Sequence, residues 1–129
     1  MDGSKQVNQW TNVVIGLALK VHSRLGPGLL EHVYRRCLAH EIGRAGLRVE
    51  SEVSVPLVYD DLKIEAAYRL DILVEDAVIV EVKSIAKALP VHHSQLLTYL
   101  KLNSKPVGIF LNFNTKRLSE ELKRIVNNP

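Results

Sequence analysis

The chain has 129 residues, of which 47% are hydrophobic and 24% are charged, and its formal net charge is +3. This composition fits one globular domain, residues 1–129, and excludes a disordered chain or two ordinary domains. The weak positive charge is compatible with a nucleic-acid partner, but it excludes the dense basic stripe of a dedicated DNA-binding module.

Apolar spacing and chain breakers divide the sequence into predicted helices and strands. Helices are predicted where apolar residues recur every three or four positions, and strands where they alternate or run continuously. The breaker Gly26-Pro27-Gly28 separates the first two helices, and Gly46 ends the second. In chain order the predictions are helices at Val7–Arg24 and Leu29–Ala45, strands at Val49–Tyr59, Leu62–Val74 and Ala77–Lys83, a helix at His92–Leu102, a strand at Val107–Phe113 and a helix at Leu118–Val126.

The element order α-α-β-β-β-α-β-α determines the expected sheet. The first three strands are joined by the tight turns Asp60-Asp61 and Glu75-Asp76, so they should form an antiparallel meander. The fourth strand follows a helical crossover and should lie parallel to the third, with a right-handed connection. The expected fold is therefore α/β, with a mixed four-stranded sheet and helices on both faces.

Cysteine content and hydropathy bear on the cellular compartment. Cys37 is the only cysteine, so no internal disulfide can form. The segment Met1–Trp10 is polar and the apolar run Val13–Leu19 is too short to span a bilayer, so neither a signal peptide nor a membrane segment is predicted. The expected location is the reducing cytoplasm.

The segment from Asp71 to Lys83 carries the most informative pattern of charges. Side chains two apart on a strand share a face, so Glu81 and Lys83 should point the same way. An odd number of residues in the loop after Val74 would place Asp71 opposite Glu81, where two carboxylates repel each other. A divalent cation would remove that repulsion, and Mg²⁺ suits carboxylate and carbonyl oxygens. Lys83 could then orient a water or help to deprotonate it.

Simpler interpretations exist for each of these side chains. Glu81 and Lys83 could be an exposed pair at a strand end, although both charges end an almost purely apolar strand where charges seldom lack a partner. Glu31 could be a first-turn residue that the helix dipole favours. For Tyr34 and Tyr99 the simpler interpretation is ordinary helix packing, with a hydroxyl that reaches solvent.

Two motifs resemble a known group of proteins. Asp71 followed by Glu81-Val82-Lys83 across a β-hairpin resembles the signature of the PD-(D/E)XK nuclease superfamily, whose α-β-β-β-α-β core matches the predicted order. Leu70 stands where that signature has its proline. The segment Gly28-Leu29-Leu30-Glu31-His32-Val33-Tyr34 resembles the pattern that names the GxxExxY proteins, a small bacterial family assigned to the same superfamily. Other segments also resemble this family, from about Asn12 to Val126: Leu25-Gly26-Pro27-Gly28, Leu89-Pro90-Val91-His92, Gln95–Leu100 and Leu111-Asn112-Phe113-Asn114.

The superfamily resemblance implies a metal centre and a catalytic lysine. Asp71 and Glu81 would be metal ligands, with the backbone carbonyl of Val82 as a third ligand. Lys83 would be the catalytic lysine, and Mg²⁺ or Mn²⁺ would be the cofactor. The implied activity is hydrolysis of phosphodiester bonds in DNA or RNA, so nucleic acid is the implied partner.

The family pattern adds residues from two helices. Glu31 would supply a further carboxylate from the early helix, within the motif that also contains Gly28 and Tyr34. Gln95, on the helix after the third strand, would orient a water or contact a phosphate. These roles are implied by the resemblance, whereas helical spacing alone places Glu31 with Tyr34 on one face and Gln95 with Tyr99 on another.

Two functions stay open at this point. A nuclease is favoured because Asp71, Glu81 and Lys83 are all present, and a degenerate site would be expected to have lost one of them. The alternative is a non-catalytic module that binds nucleic acid or a protein through the same fold. The length of 129 residues favours this alternative slightly, because there is no separate recognition domain and a homodimer or a protein partner would have to supply specificity.

Overall fold

A mixed five-stranded sheet carries helices on both of its faces in the computed structural model, which describes residues 3–128. Neighbouring strands follow the order β1-β2-β3-β4-β5, and only β3 and β4 are parallel. This arrangement confirms the α/β fold, the meander and the parallel crossover pair. The helices are α1 (Ser4–Leu25), α2 (Glu31–Arg44) and α3 (Pro90–Asn103), and the strands are β1 (Val49–Tyr59), β2 (Leu62–Val74), β3 (Val78–Lys83), β4 (Val107–Asn112) and β5 (Leu122–Val126).

Two apolar layers hold the sheet between the helices. On one face α1 and α2 cover a cluster that includes Val80 and Val82. On the other face α3 covers a cluster that includes Ile79 and Phe110. Because successive side chains of β3 enter opposite clusters, this strand is buried on both faces, as its apolar sequence predicts. The charges at its end therefore sit beside the core of the domain.

The prediction of a helix at Leu118–Val126 is wrong. The structure has a short 3₁₀ turn at Leu118–Glu120 followed by β5, so the sheet has five strands rather than four. Leu122 and Ile125 do continue a helical spacing from Leu118. However, β4 is buried along its whole length, and a free edge would leave its backbone N–H and C=O groups unpaired. β5 pairs along that edge and satisfies them.

The helices differ from their predictions only at their ends. α1 begins three residues earlier, at Ser4, and α2 begins at Glu31 because Leu30 is extended, with φ −72° and ψ 151°. α3 begins at Pro90, whose fixed φ suits the first helical position.

Within residues 3–128, none of the helices has the length and apolarity needed to cross a membrane.

β1 and β2 extend beyond the rest of the sheet as a two-stranded arm. β3 pairs with β2 only over Ile72–Val74, so in the described chain residues 62–71 of β2 have β1 as their one paired neighbour. We call residues 54–68 the arm. Because β2 runs antiparallel to β3, the arm projects past the end of β3 at which Glu81 and Lys83 lie.

Candidate functional site

Asp71 and Glu81 lie opposite each other where β2 and β3 part. Val74 pairs with Val78, so the loop between these strands consists of residues 75–77. The loop therefore has three residues, one more than the predicted turn Glu75-Asp76. An odd loop length is the condition under which Asp71 falls opposite Glu81, and the same register extended along the hairpin brings the two together. Both side chains are almost inaccessible, at 8% and 4% exposure respectively. The structure therefore brings two buried carboxyl groups together at the end of the central strand.

Carboxylates replace the backbone hydrogen bonds where this pairing ends. The backbone N–H of Val82 donates to Oδ2 of Asp71 over 2.9 Å, and the backbone of Asp71 in turn hydrogen-bonds to the Glu81 carboxylate. The Lys83 carbonyl accepts from the N–H of Phe113 on the β4 side. Because hydrogen-bonding direction alternates along a strand, the Val82 carbonyl points to the β2 side, toward the carboxylates.

The regular alternation of β2 is broken at Asp71. Leu70 and Leu73 both pack in the cluster beneath α3, although residues three apart point to opposite faces of a regular strand. On the neighbouring strand, Glu52 has a φ of 53°, in the left-handed region. The alternation argument therefore applies to β3 but not across Asp71, whose place beside Glu81 is set by the hairpin register.

Burial makes both carboxyl groups hard to ionise. Burial is the main cause that raises the pKa of Glu81 to about 8, and the charge of Asp71 raises it further. Burial also raises the pKa of Asp71, against the effects of the Val82 N–H and the Lys83 charge. Oε1 of Glu81 is buried and has no hydrogen-bond partner within the described residues. A buried charged oxygen without a partner raises the free energy of the folded state, and a bound proton or cation would remove this destabilisation.

The donor atoms at this point fit a divalent metal ion that prefers oxygen. Among residues 3–128, no three His, Cys, Asp or Glu side chains gather into a metal-binding group. With only two carboxylates at this point, a cation would have Asp71, Glu81 and the carbonyl of Val82 as its protein ligands. Water would occupy the remaining coordination positions. Mg²⁺ favours this pattern of few carboxylates and several waters, whereas zinc favours nitrogen and sulfur ligands.

Lys83 and Glu31 complete the charged cluster. Lys83 ends β3 with a half-buried side chain, and its charge lowers the pKa of Asp71, Glu81 and Glu31. Glu31 opens α2, and burial followed by the charge of Asp71 raises its pKa. The predicted carboxylates and the predicted lysine thus influence one another electrostatically at one end of the sheet.

Tyr34 holds the loop that precedes α2. Its side chain is completely buried and stacks on Phe113, with ring centroids 4.6 Å apart. The hydroxyl donates to the Gly26 carbonyl over 2.5 Å and accepts from the Leu29 N–H over 3.1 Å. Gly28, between them, has a φ of 101°, which favours glycine. The expectation of a hydroxyl that reaches solvent is therefore wrong for Tyr34.

The same loop is tied to the end of β3. Ser84, which directly follows Lys83, donates from Oγ to the Leu29 carbonyl over 2.6 Å. This bond holds the start of α2 beside the site, which explains why Glu31 lies near Lys83. The sequence pattern gives no signal for Ser84, because its partner is 55 residues away along the chain.

We expect Tyr34→Phe to lower the free energy of unfolding by about 1–3 kcal/mol. The ring would still stack on Phe113, but the Gly26 carbonyl and the Leu29 N–H would lose their shared partner. Urea unfolding followed by circular dichroism measures the change. Tyr59→Phe is the control and should change little, because the Tyr59 side chain is 70% exposed. Equal stability of Tyr34→Phe and wild type would show that the hydroxyl does not hold the loop.

Tyr99 is the side chain of α3 that lies within reach of the carboxylate charges. Burial raises the pKa of the Tyr99 hydroxyl, and the charge of Glu81 raises it further. The ring stacks on Tyr68, with centroids 4.5 Å apart. Gln95 lies one turn earlier with an exposed side chain that makes no hydrogen bond or ion pair within the described chain. A role for Gln95 at the site stays a prediction.

Two arginines that the sequence pattern does not single out border the site. Arg35 on α2 is buried, and both it and Arg69 on β2 form ion pairs with Glu52, at 3.3 and 2.9 Å. Their positive charges lower the pKa of Asp71 and of Glu31. Sequence spacing gives no signal for this group, because its ion pairs join α2 and β2 to one residue of β1.

Asn112 fixes the chain where it leaves β3. Its amide is fully buried; Oδ1 accepts from the Ile85 N–H and Nδ2 donates to the Ile85 carbonyl, both over 3.0 Å. Nδ2 also donates to Oε1 of Glu121 over 2.8 Å. This satisfied network holds the backbone two residues after Lys83 against β4, and so limits the positions that the lysine can adopt.

Comparison with known proteins identifies the family of the chain. A scan against protein families matches the PD-(D/E)XK nuclease superfamily over residues 8–125. Searches of curated proteins and of solved structures gave no significant match. Nucleases of this superfamily act on nucleic acid and typically use divalent metal ions. Because the match covers both the carboxylate hairpin and the helices that frame it, the chain belongs to the PD-(D/E)XK nuclease superfamily.

Proposed function

We propose that this chain is a metal-dependent nuclease that hydrolyses phosphodiester bonds of DNA or RNA, with Mg²⁺ or Mn²⁺ as its cofactor. The observation that carries the proposal is the carboxylate of Glu81. It is buried opposite Asp71 at the end of a core strand, with one oxygen that lacks a partner within the described residues. Two such carboxylates destabilise the fold by their desolvation, and a site that binds a cation gives a reason to keep them.

Each proposed role follows from the position of the residue. Asp71, Glu81 and the Val82 carbonyl would hold the cation, which when bound makes water more acidic and offsets charge on the phosphate. Lys83 would orient the attacking water or take its proton, because it ends β3 and its charge acts on all three carboxylates. Glu31 would accept a hydrogen bond from the same water.

We also propose that the chain falls within the GxxExxY family. The support is that each residue of the motif has a separate task. Gly28 takes the positive φ of the loop, Glu31 adds charge at the site, and Tyr34 anchors the loop. Gln95, exposed on α3, would contact a phosphate of the substrate.

Cleavage assays test the proposed activity. Single- and double-stranded DNA and RNA are each incubated with Mg²⁺, Mn²⁺ or EDTA, and products are separated by electrophoresis. We expect cleavage that depends on the divalent ion for wild type and none for Asp71→Asn, which keeps the side-chain size and removes the charge. Asp76→Asn, purified in the same way, is the control and should cut normally, because Asp76 is an exposed carboxylate paired with Lys105.

Two outcomes would contradict the proposal. Undiminished cleavage by Asp71→Asn would show that the activity belongs to another site or to a contaminant. A wild type that binds nucleic acid and never cleaves it, with any metal or substrate, would favour the non-catalytic binding module.

A further inference from the structure

The tip of the arm carries an apolar face that nothing in the described chain covers. Leu57 pairs with Ile64, and Tyr59 pairs with Leu62 across the hairpin, so the four side chains share one face. Val55, two residues before Leu57, packs in the cluster beneath α3. The register of the hairpin shifts between Val55 and Leu57, and beyond that irregularity Tyr59 is 70% and Leu62 is 56% exposed. A contiguous apolar surface of this kind marks an interaction site.

The charge at the tip determines what kind of partner this face can take. The turn between the strands consists of Asp60 and Asp61, both exposed. Neither carboxylate is in an ion pair within the described residues. Two unpaired negative charges beside the apolar face repel a polyanion and attract a positively charged protein surface. The arm tip therefore fits a basic, apolar protein groove better than nucleic acid.

The chain itself has a basic, apolar groove between α1 and α2, on their outer side. Its volume is about 520 Å³. Its one carboxylate, Glu41, is already paired with Lys20 at 3.1 Å, whereas Arg24 and Arg36 have no ion pair within the described chain. The groove is lined by four apolar side chains, two arginines and two histidines: Val21, Leu25, Val33 and Cys37, with Arg24, Arg36, His32 and His40.

The arm of the same chain does not fill this groove, because every side chain that lines the groove belongs to α1 or α2. α1 and α2 cover the face of the sheet opposite to α3, whereas Val55 and Tyr68, at the base of the arm, pack on the α3 side. A second copy of the chain is therefore the occupant that the charges and the apolar lining of the groove favour.

We propose that two copies of this chain form a dimer by exchanging their arms, so that each arm tip docks in the α1–α2 groove of the other copy. Leu57, Tyr59 and Leu62 enter the apolar part of the groove, and Asp60 and Asp61 meet its two arginines. Because the exchange is reciprocal, it makes two identical junctions and closes as a two-fold dimer rather than a filament.

Charge reversal tests the exchange, with the mass of the full chain in solution measured by sedimentation velocity. We expect a wild-type dimer. The arm variant Asp60→Lys/Asp61→Lys and the groove variant Arg24→Glu/Arg36→Glu should each raise the dimer dissociation constant roughly tenfold or more, because like charges then meet. An equimolar mixture of the two variants should regain the dimer. In the mixture each reversed arm faces a reversed groove, and each native arm faces a native groove.

A control separates this effect from a general change of charge. Glu50→Lys/Glu120→Lys reverses two exposed carboxylates outside the arm tip and the groove, and it should stay dimeric. Circular dichroism confirms that every variant is folded. Any of three results would overturn the proposal: a wild type that is monomeric at every concentration, a reversed variant that is as dimeric as wild type, or a mixture that stays monomeric. If wild type is monomeric, the docking partner of the arm would be a different protein and not a second copy of this chain.

Discussion

Lys83→Ala should slow nucleic-acid cleavage roughly 10²–10⁴-fold, the range over which a positioned acid or base contributes to catalysis. Nucleic-acid binding should fall far less. Affinity for a polyanion is the sum of many phosphate contacts, and each adds a small, salt-dependent share. In the proposed mechanism the chemical step depends instead on one water that Lys83 would hold, since the charge of Lys83 acts on the carboxylates of Asp71, Glu81 and Glu31.

Two measurements keep these effects apart. Single-turnover cleavage of a labelled oligonucleotide in Mn²⁺ gives the rate, and fluorescence anisotropy in EDTA gives binding at several salt concentrations. Lys87→Ala is the matched control, since Lys87 is an exposed lysine four residues further along the chain, and both rate and affinity should stay near those of wild type. If Lys83→Ala cut as fast as wild type, Lys83 would have no part in the chemistry.

The parts of the site that could be predicted are those that local patterns encode. The apolar run of β3 indicates a strand buried on both faces. The hairpin itself was predicted, but Asp71 lies opposite Glu81 because its loop has three residues rather than the two of the predicted turn. The spacing within Gly28–Tyr34 places Glu31 on the same helix as Tyr34. In each case a few neighbouring residues contain the signal, because strand alternation, turn length and helix period act over short distances.

The parts that could not be predicted depend on contacts between distant segments. The residues Leu122–Val126 have a helical spacing, yet they form a strand because the buried edge of β4 needs a backbone partner. The bond from Ser84 to the Leu29 carbonyl and the ion pair of Arg35 with Glu52 likewise join distant parts of the chain. No local pattern contains such information, since each contact forms only after the sheet has brought its partners together.

Glu81→Gln should remove much of the pH dependence of stability in metal-free protein. The ordinary pKa of a glutamate is 4.5, and burial raises that of Glu81 to about 8 in the folded chain. Between these values the unfolded chain loses the proton that the folded chain keeps, so the folded state binds more protons and stability falls as the pH rises. Below pH 4.5 both states are protonated, and above about pH 8 both are ionised and the loss is complete. Since one pKa unit corresponds to about 1.4 kcal/mol, the loss amounts to a few kcal/mol.

The glutamine cannot ionise, so Glu81→Gln should be more stable than wild type at pH 8 without metal. The pH dependence of stability that remains in the variant should come from Asp71 and Glu31.

Mn²⁺ should reverse this order of stability, so that wild type becomes the more stable protein. A ligand that binds only the folded state stabilises it by roughly 2.7 kcal/mol at 100 times its dissociation constant, and wild type has both carboxylates to hold the ion while the variant has one. Thermal and urea unfolding from pH 5 to pH 9, with Mn²⁺ or with EDTA, measure both effects, and Glu120→Gln controls for the loss of an exposed carboxylate. The same pH profile and the same Mn²⁺ shift in wild type and Glu81→Gln would mean that Glu81 is neither the buried acid described here nor a ligand of the ion.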